Sequence, residues 1–165
     1  MPVKLQRATD SDVEAIFSLK EAIADSLTRE FGKGHWSSFG TQAGVVRAVK
    51  SSTLWVARSR VGVIAVLSLS TRKPWAIDPA YFTAARTPLY LTDMAVEPAV
   101  QRRGIGRACL VEARSLAAKY PSGAIRLDAY DAPAGAGGFY AKCGYREVGR
   151  VVHKKNPLVY YETLI

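Results

Sequence analysis

Apolar and polar positions change their period several times along this chain, and each change marks an element. Val3, Leu5 and Arg7 alternate with Lys4, Gln6 and Ala8, the period of two expected of a strand with one buried face. From Thr9 the period becomes helical, with Ile16, Leu19, Ile23 and Leu27 on one stripe and Thr9 or Asp10 as the cap. Gly32, Gly34 and Gly40 break the next stretch into a loop carrying His35, Trp36 and Phe39, after which residues 41–50 return to a helical spacing. Two β-rich runs, 54–58 and 61–70, are joined by a short polar turn and predict a hairpin. Pro74, Pro79 and Pro88 mark 71–88 as a long loop. Residues 89–96 predict a strand and 104–120 a helix with the stripe Ile105, Cys109, Ala113, Leu116, Ala117 and Tyr120. The chain then predicts a strand at 124–130, a short helix at 134–142 and closing strands at 145–152 and 158–164. The glycines between 132 and 138 bear on where that last helix starts.

The element order β-α-α-β-β-β-α-β-α-β-β over 165 residues predicts one α/β domain, residues 1–165, with no linker or repeat. A composition of 48% hydrophobic and 22% charged residues excludes a disordered chain. The formal net charge of +9 favours anionic partners. Its arginines and lysines are scattered over turns (Arg58, Arg60, Arg72, Lys73, Lys154, Lys155), and no element carries a basic stripe interleaved with aromatics, which disfavours nucleic acid. Cys109 and Cys143 lie far apart without a paired-cysteine motif, so neither a disulfide framework nor a metal site is expected. The N-terminus lacks an apolar leader and the longest apolar run, 61–67, is too short to span a bilayer, so the expectation is a soluble, cytoplasmic protein.

The run Gln101-Arg102-Arg103-Gly104-Ile105-Gly106-Arg107 changes this picture most. It leaves an apolar strand and opens a helix, whose N-terminus carries partial positive charge and N–H groups without intrahelical partners. Arg102, Arg103 and Arg107 are therefore misplaced for stability by roughly 0.3–1 kcal/mol each. A bound anion reverses that sign. Gly104 and Gly106 remove the Cβ atoms that keep a phosphate from the main chain, so N–H groups and guanidinium forks can converge on it. A Walker loop needs Gly-Lys-Ser/Thr after its glycines, which is absent here. The dinucleotide fingerprint fits Gly104, Gly106 and Cys109 loosely, with Asp128 at the distance of a ribose-binding acid, but residues 97–103 intervene where that motif turns directly from strand to helix.

This run resembles the Q/R-x-x-G-x-G/A signature of the GCN5-related N-acetyltransferases, in which the loop holds the pyrophosphate of acetyl-CoA. Leu91-Thr92-Asp93-Met94-Ala95-Val96-Glu97-Pro98 is similar to that family's central strand and its exit, and Gly138-Phe139-Tyr140-Ala141-Lys142-Cys143-Gly144-Tyr145 to its Phe-Tyr segment. The resemblance implies a single-domain acyl-CoA N-acyltransferase fold, a central mixed sheet splayed between strands four and five and flanked by helices. It implies acetyl transfer from acetyl-CoA to a primary amine, by direct attack in a ternary complex and without a metal. Gln101, Arg102, Arg103, Gly104, Ile105, Gly106 and Arg107 would hold the pyrophosphate, and the main chain at Met94, Ala95 and Val96 the pantetheine arm and the oxyanion. Tyr140 would protonate or hydrogen-bond the leaving thiolate.

The proton acceptor for the amine is the least determined part. The strand positions where relatives carry Glu or His hold Tyr90 and Thr92 here, which leaves Asp93, provided a bulge turns it inward, or a water relay. Pro133 stands where many relatives have an asparagine contacting the cofactor. Asp128, Tyr130 and Asp131 fall near the end of the fifth strand, where an acid capping a loop is the ordinary account. Trp36, Phe39, Trp75, Tyr81 and Phe82 are acceptor-pocket candidates by position, and Glu14, Glu21 and Asp25 share a helix face that is either a cation lure or simply solvated. The acceptor is an amine-bearing small molecule or peptide, and the closing hairpin is a candidate homodimer surface. A non-catalytic acyl-CoA-binding module on the same fold and a basic nucleic-acid-associated protein stand as alternatives.

Overall fold

The expected order of elements is the observed one. In the computed structural model, which describes residues 2–165, they run β1 (Leu5–Arg7), α1 (Val13–Phe31), α2 (Gln42–Lys50), β2 (Leu54–Ser59), β3 (Gly62–Ser70), β4 (Leu89–Val96), α3 (Ile105–Lys119), β5 (Ala124–Tyr130), α4 (Gly137–Lys142), β6 (Arg146–His153) and β7 (Asn156–Leu164). The strands form an open mixed sheet in the order β1-β2-β3-β4-β5-β7-β6. Its parallel pair, β4 with β5, is matched at Leu89 with Ile125 and Tyr90 with Arg126, so the ladder ends two residues into β4. This is the α/β fold anticipated, with strands four and five parting beyond that point.

The chain divides into two compact units, Met1–Leu69 with Asp93–Glu112 and Ser70–Thr92 with Ala113–Ile165. In the first, β1, β2 and β3 pair antiparallel, and the apolar stripe of α1 delivers Ile16 and Leu19 onto Val56 and Val66 of the strands and Val45 and Val49 of α2. The cap of α1 is more elaborate than a single residue. A 3-10 turn, Asp10–Asp12, precedes it; Thr9 N–H donates to the Asp12 carboxylate at 2.8 Å, and Arg58 closes an ion pair on the same oxygen. Thr41 caps α2 by accepting from Gly44 N–H at 3.0 Å.

In the second unit β7 pairs antiparallel with β5 on one side and β6 on the other. Residues 71–88 carry no strand, only a 3-10 turn at Pro79–Tyr81, yet buried polar side chains tie them to the sheet. Tyr160 accepts from Asp78 N–H at 3.1 Å and donates to the Ala76 carbonyl. Glu162, 1% exposed, accepts from the Thr83 N–H and hydroxyl and from Arg146. Arg126 donates to the Thr83 carbonyl at 2.8 Å and to the Tyr90 hydroxyl at 3.2 Å, with its guanidinium 5.1 Å from the centre of the Phe82 ring.

Several boundaries shift by a residue or two, β1 beginning at Leu5 and β6 running one residue further, and two of the shifts have a visible cause. The short helix begins at Gly137, not at residue 134, because the chain before it is a tight turn: Gly135 N–H donates to the Ala132 carbonyl at 2.8 Å, and a Cβ on Gly135 would sit 1.8 Å from the Tyr130 carbonyl oxygen. The last strand starts at Asn156, two residues early, because a turn at Lys154 and Lys155, both left-handed, brings it straight back onto β6. On α3, Cys109, Ala113 and Ala117 are buried as expected; Leu110 joins them, and Tyr120 lies beyond the helix and is exposed.

Candidate functional site

In the first unit the main chain of residues 93–107 is shaped by three left-handed positions. Asp93 has φ 54°, Arg102 φ 61° and Gly104 φ 80°. A non-glycine residue in this region is strained by roughly 1–2 kcal/mol, and Asp tolerates it better than most because its short side chain can bond locally. At Asp93 the strand therefore departs from extended geometry. The carboxylate it carries is 52% exposed and lies 3.4 Å from Lys20 Nζ on α1. Lys20 was not anticipated; its pairing is a tertiary contact without a local sequence signal.

Beyond Asp93, Glu97 N–H donates to the Ile64 carbonyl of β3 at 2.9 Å. Successive N–H groups of a strand alternate sides, so Ala95 turns its N–H toward β3 while Met94 and Val96 turn theirs to the opposite edge. The Ala95 side chain packs onto the core formed by α1, α2 and the strands. The Val96 carbonyl accepts from Gln101 Nε2 at 3.0 Å, so the Gln101 side chain ties the loop back to the end of β4.

The loop itself places two left-handed residues, Arg102 and Gly104, one residue apart at the mouth of a helix, a conformation that gathers N–H groups into an anion-binding concavity. The first bond of α3 runs from Ala108 N–H to the Gly104 carbonyl at 3.0 Å, which leaves the donors of Ile105 and Gly106 at the helix opening. Arg102, Arg103 and Arg107 are exposed around them. Nothing lies within 4 Å of where a Cβ on Gly104 would project, so the space in front of that backbone is open. Multi-phosphate ligands fit this donor set: backbone dipoles, forked guanidinium groups and room for close approach occur together.

In the second unit Tyr140 is 7% exposed on α4, with its ring 5.8 Å from Tyr145 and 6.2 Å from Tyr161. Burial first, then the neighbouring Tyr145, Asp128 and Cys143, push its phenol well above the ordinary tyrosine range, so it holds its proton. It is a hydrogen-bond donor rather than a ready acid. Tyr90 is buried with its hydroxyl accepting from Arg126, and Thr92 is half-buried. Asp128, half-buried on β5, has its carboxyl raised by burial, with its own backbone N–H and His153 pulling the other way. Asp131 does what an acid at a strand end commonly does, accepting from Arg150 at 3.0 Å. The structure thus places Asp93, Met94–Val96 and 101–107 in one unit and Tyr140 in the other.

Most loop aromatics have structural employment. Trp36 donates to the Gly32 carbonyl at 2.8 Å, Phe39 meets Phe17 at 5.3 Å, Phe82 is buried, and Tyr81 lies over Gly149, where a Cβ would be 2.3 Å from its ring. Trp75 differs, being 87% exposed. Glu14, Glu21 and Asp25 are exposed on α1. Among the described residues no helix is long and apolar enough to cross a membrane, and no group of three or more His, Cys, Asp or Glu residues is placed to hold a metal ion.

The model of the acetyltransferase (GNAT) domain family matches residues 50–147 of this chain. No curated protein sequence matches it. Among solved structures, a GNAT-family acetyltransferase from Listeria monocytogenes superimposes with a TM-score of 0.76 at 17% identity, covering 99% of this chain and 95% of that one. A ribosomal-protein-alanine N-acetyltransferase from Brucella melitensis gives 0.72 at 16% identity, over 98% and 99%. A PaiA N-acetyltransferase from Thermoplasma acidophilum, in complex with coenzyme A, gives 0.73 at 13% identity, over 99% and 100%. At such identities the likeness is one of fold.

Proposed function

Because the chain belongs to the GNAT acetyltransferase family, we propose that it transfers the acetyl group of acetyl-CoA to a primary amine by direct attack in a ternary complex. The observation that carries this reading is the loop at 101–107: two left-handed residues, an open space before Gly104 and three exposed arginines at a helix N-terminus. Such a concentration of donors is costly without an anion and favourable with one. The pyrophosphate of acetyl-CoA takes it, held by Arg102, Arg103 and Arg107 and by the main chain of Gly104, Ile105 and Gly106, while Gln101 braces the loop.

The N–H groups of Met94 and Val96, on the edge turned from β3, are the donors for the pantetheine amides and for the oxyanion that forms when the amine adds to the thioester. Tyr140 stabilises the departing thiolate. Its raised pKa means that it donates a hydrogen bond to the sulfur and keeps its own proton. No metal is required, since the oxyanion and thiolate both have donors. The acceptor is an amine-bearing small molecule or peptide in the cytoplasm.

Calorimetric titration with acetyl-CoA and with desulfo-CoA, followed by thiol release against a panel of amines, tests the reading. Tight binding with amine-dependent release supports it. Binding without release from any amine points instead to a non-catalytic acyl-CoA-binding module, and absence of binding removes the loop as a phosphate site. Within an active enzyme, Tyr140→Phe should lower kcat by about 10- to 100-fold with acetyl-CoA affinity unchanged. An unaltered kcat would return Tyr140 to a packing role.

A further inference from the structure

A transferase acting on amines needs a group that receives the acceptor's ammonium, and the face of β4 supplies none: Tyr90 is engaged by Arg126, and Thr92 has no basic atom. The register of the parallel pair shows what lies beside them. Tyr90 and Arg126 are ladder partners and share a face of the sheet, so Thr92 and Asp128, each two residues on, share that face just past the last pairing of β4 with β5. Asp128 therefore stands at the mouth of the split between the strands.

Its surroundings suit a cation. Tyr160 is its direct partner on β7, and Tyr130 follows it by two on β5, both on the same face. Tyr160 in turn meets the Tyr81 ring edge-on at 5.5 Å and the Phe82 ring at 5.2 Å. A carboxylate set among aromatic rings attracts alkylammonium by charge and by the ring faces together. The two acids differ in this respect: Asp93 already holds Lys20 in an ion pair, whereas Asp128 has no Lys or Arg within ion-pair distance among the described residues. The charged and titratable groups that reach it are His153 from β6, Tyr160 from β7, Tyr130 on its own strand and Tyr140 from α4. Burial also raises its carboxyl above the ordinary range, against the pull of its own backbone N–H and His153.

Resting on the transferase reading, we propose that Asp128 is the carboxylate that binds the acceptor's ammonium group and takes its proton. One proton passes from the ammonium to the carboxylate and on to solvent. The freed nitrogen lone pair forms the C–N bond to the acetyl carbon, the C–S bond breaks with its electron pair going to sulfur, and the second proton lost by nitrogen ends on the thiol. The substrate class that depends on this is the aliphatic primary amine. With a pKa of about 10.4 it is neutral in fewer than about a thousandth of molecules at pH 7, against about a tenth for an α-amino group near 8.

The experiment compares the wild type with Asp128→Asn and Asp128→Ala over a range of pH, using an alkylamine and an α-amino acceptor. Loss of about 100-fold in kcat/KM for the alkylamine, a smaller loss for the α-amine, disappearance of the acidic limb of the pH profile, partial rescue of Asp128→Ala by formate and unchanged acetyl-CoA affinity are expected. An intact limb and rate in a variant that still binds acetyl-CoA overturns the proposal and leaves the transferase reading standing. Should both variants fail to bind acetyl-CoA, calorimetry of the alkylammonium on the wild-type desulfo-CoA complex decides. Affinity falling as acid protonates the carboxylate supports the assignment, and affinity independent of pH in that range overturns it. Wild type inactive toward every amine overturns both readings together.

Discussion

Arg102, Arg103 and Arg107 stand exposed around a backbone bent at Arg102 and Gly104, whereas Arg126 and Glu162 lie buried beneath residues 71–88 with most of their donors and acceptors matched. Both regions concentrate charge, and they handle it oppositely. The loop gathers N–H and guanidinium groups at a helix end where positive charge is already unfavourable, an arrangement that a bound anion would stabilise. The buried network consumes its charge in fastening a segment without regular structure onto β5 and β7, where an unmatched charge would be expensive. Exposed cations around a bent backbone are placed to meet a ligand; buried charges in a matched network hold the frame. Substitutions in the two regions should therefore divide cleanly between affinity and stability.

The largest stability effect belongs to Glu162. Replacing it by Ala removes the buried carboxylate that accepts from the Thr83 N–H and hydroxyl and from Arg146, so Glu162→Ala should cost about 1.5–3 kcal/mol in chemical denaturation. The Thr83 and Arg146 hydrogen bonds hold its carboxyl below the ordinary range even though burial opposes them. A depressed folded pKa contributes stability that is fully present above the unfolded value near 4.5 and is lost as pH falls through the folded one. Asp12, lowered by its Thr9 and Arg58 bonds against burial, acts with the same sign. Acid unfolding below pH 4.5 should thus be less steep in Glu162→Ala than in the wild type; an equal slope would show that the carboxylate is not what acid attacks.

In the loop the expectation reverses. On the proposed role of the loop, Arg102→Ala with Arg103→Ala should weaken acetyl-CoA by about 10- to 100-fold, the loss expected of two charge-assisted donors to phosphate. The melting temperature of the free protein should hold or rise slightly, because removing cations from a helix N-terminus relieves roughly 0.3–1 kcal/mol each. A variant that loses stability and keeps its affinity would erase the contrast drawn above.

Legibility in the sequence follows the same division. The strands 89–96 and 124–130 were readable to the residue, because β-favouring runs there are bounded by Pro88 and Pro98 and by Gly123 and Asp131. The loop at 101–107 stands out in the sequence because its physics is local: glycines, arginines and a helix start lie within seven consecutive positions. The strap does not. Three prolines announce a loop, but Thr83 meets Glu162 across 79 residues of chain, and no local pattern encodes that. Asp128 looked like an ordinary strand-end acid until the β4–β5 register placed it on the face of Tyr90 and Thr92. The Lys20 pairing with Asp93 was hidden for the same reason, and the helix predicted from residue 134 was delayed by a backbone approach at Gly135 that only a three-dimensional turn creates.

Tyr145 sharpens the comparison from a third side, being both buried and unmatched. It is 4% exposed, and its hydroxyl has no hydrogen-bond partner. Burial and the nearby Cys143 push the phenol above its usual range, against the pull of Arg114, so the group stays neutral and contributes no ion pair. A buried hydroxyl without a partner forfeits its hydration and gains nothing in exchange. Tyr145→Phe keeps the ring that packs 5.8 Å from Tyr140 and removes only that oxygen. Thermal and denaturant unfolding should show stability unchanged or raised by up to about 1 kcal/mol, the smallest shift of the set and of opposite sign to Glu162→Ala. A loss beyond about 1 kcal/mol would mean that the hydroxyl is matched, through a buried water reaching Arg114.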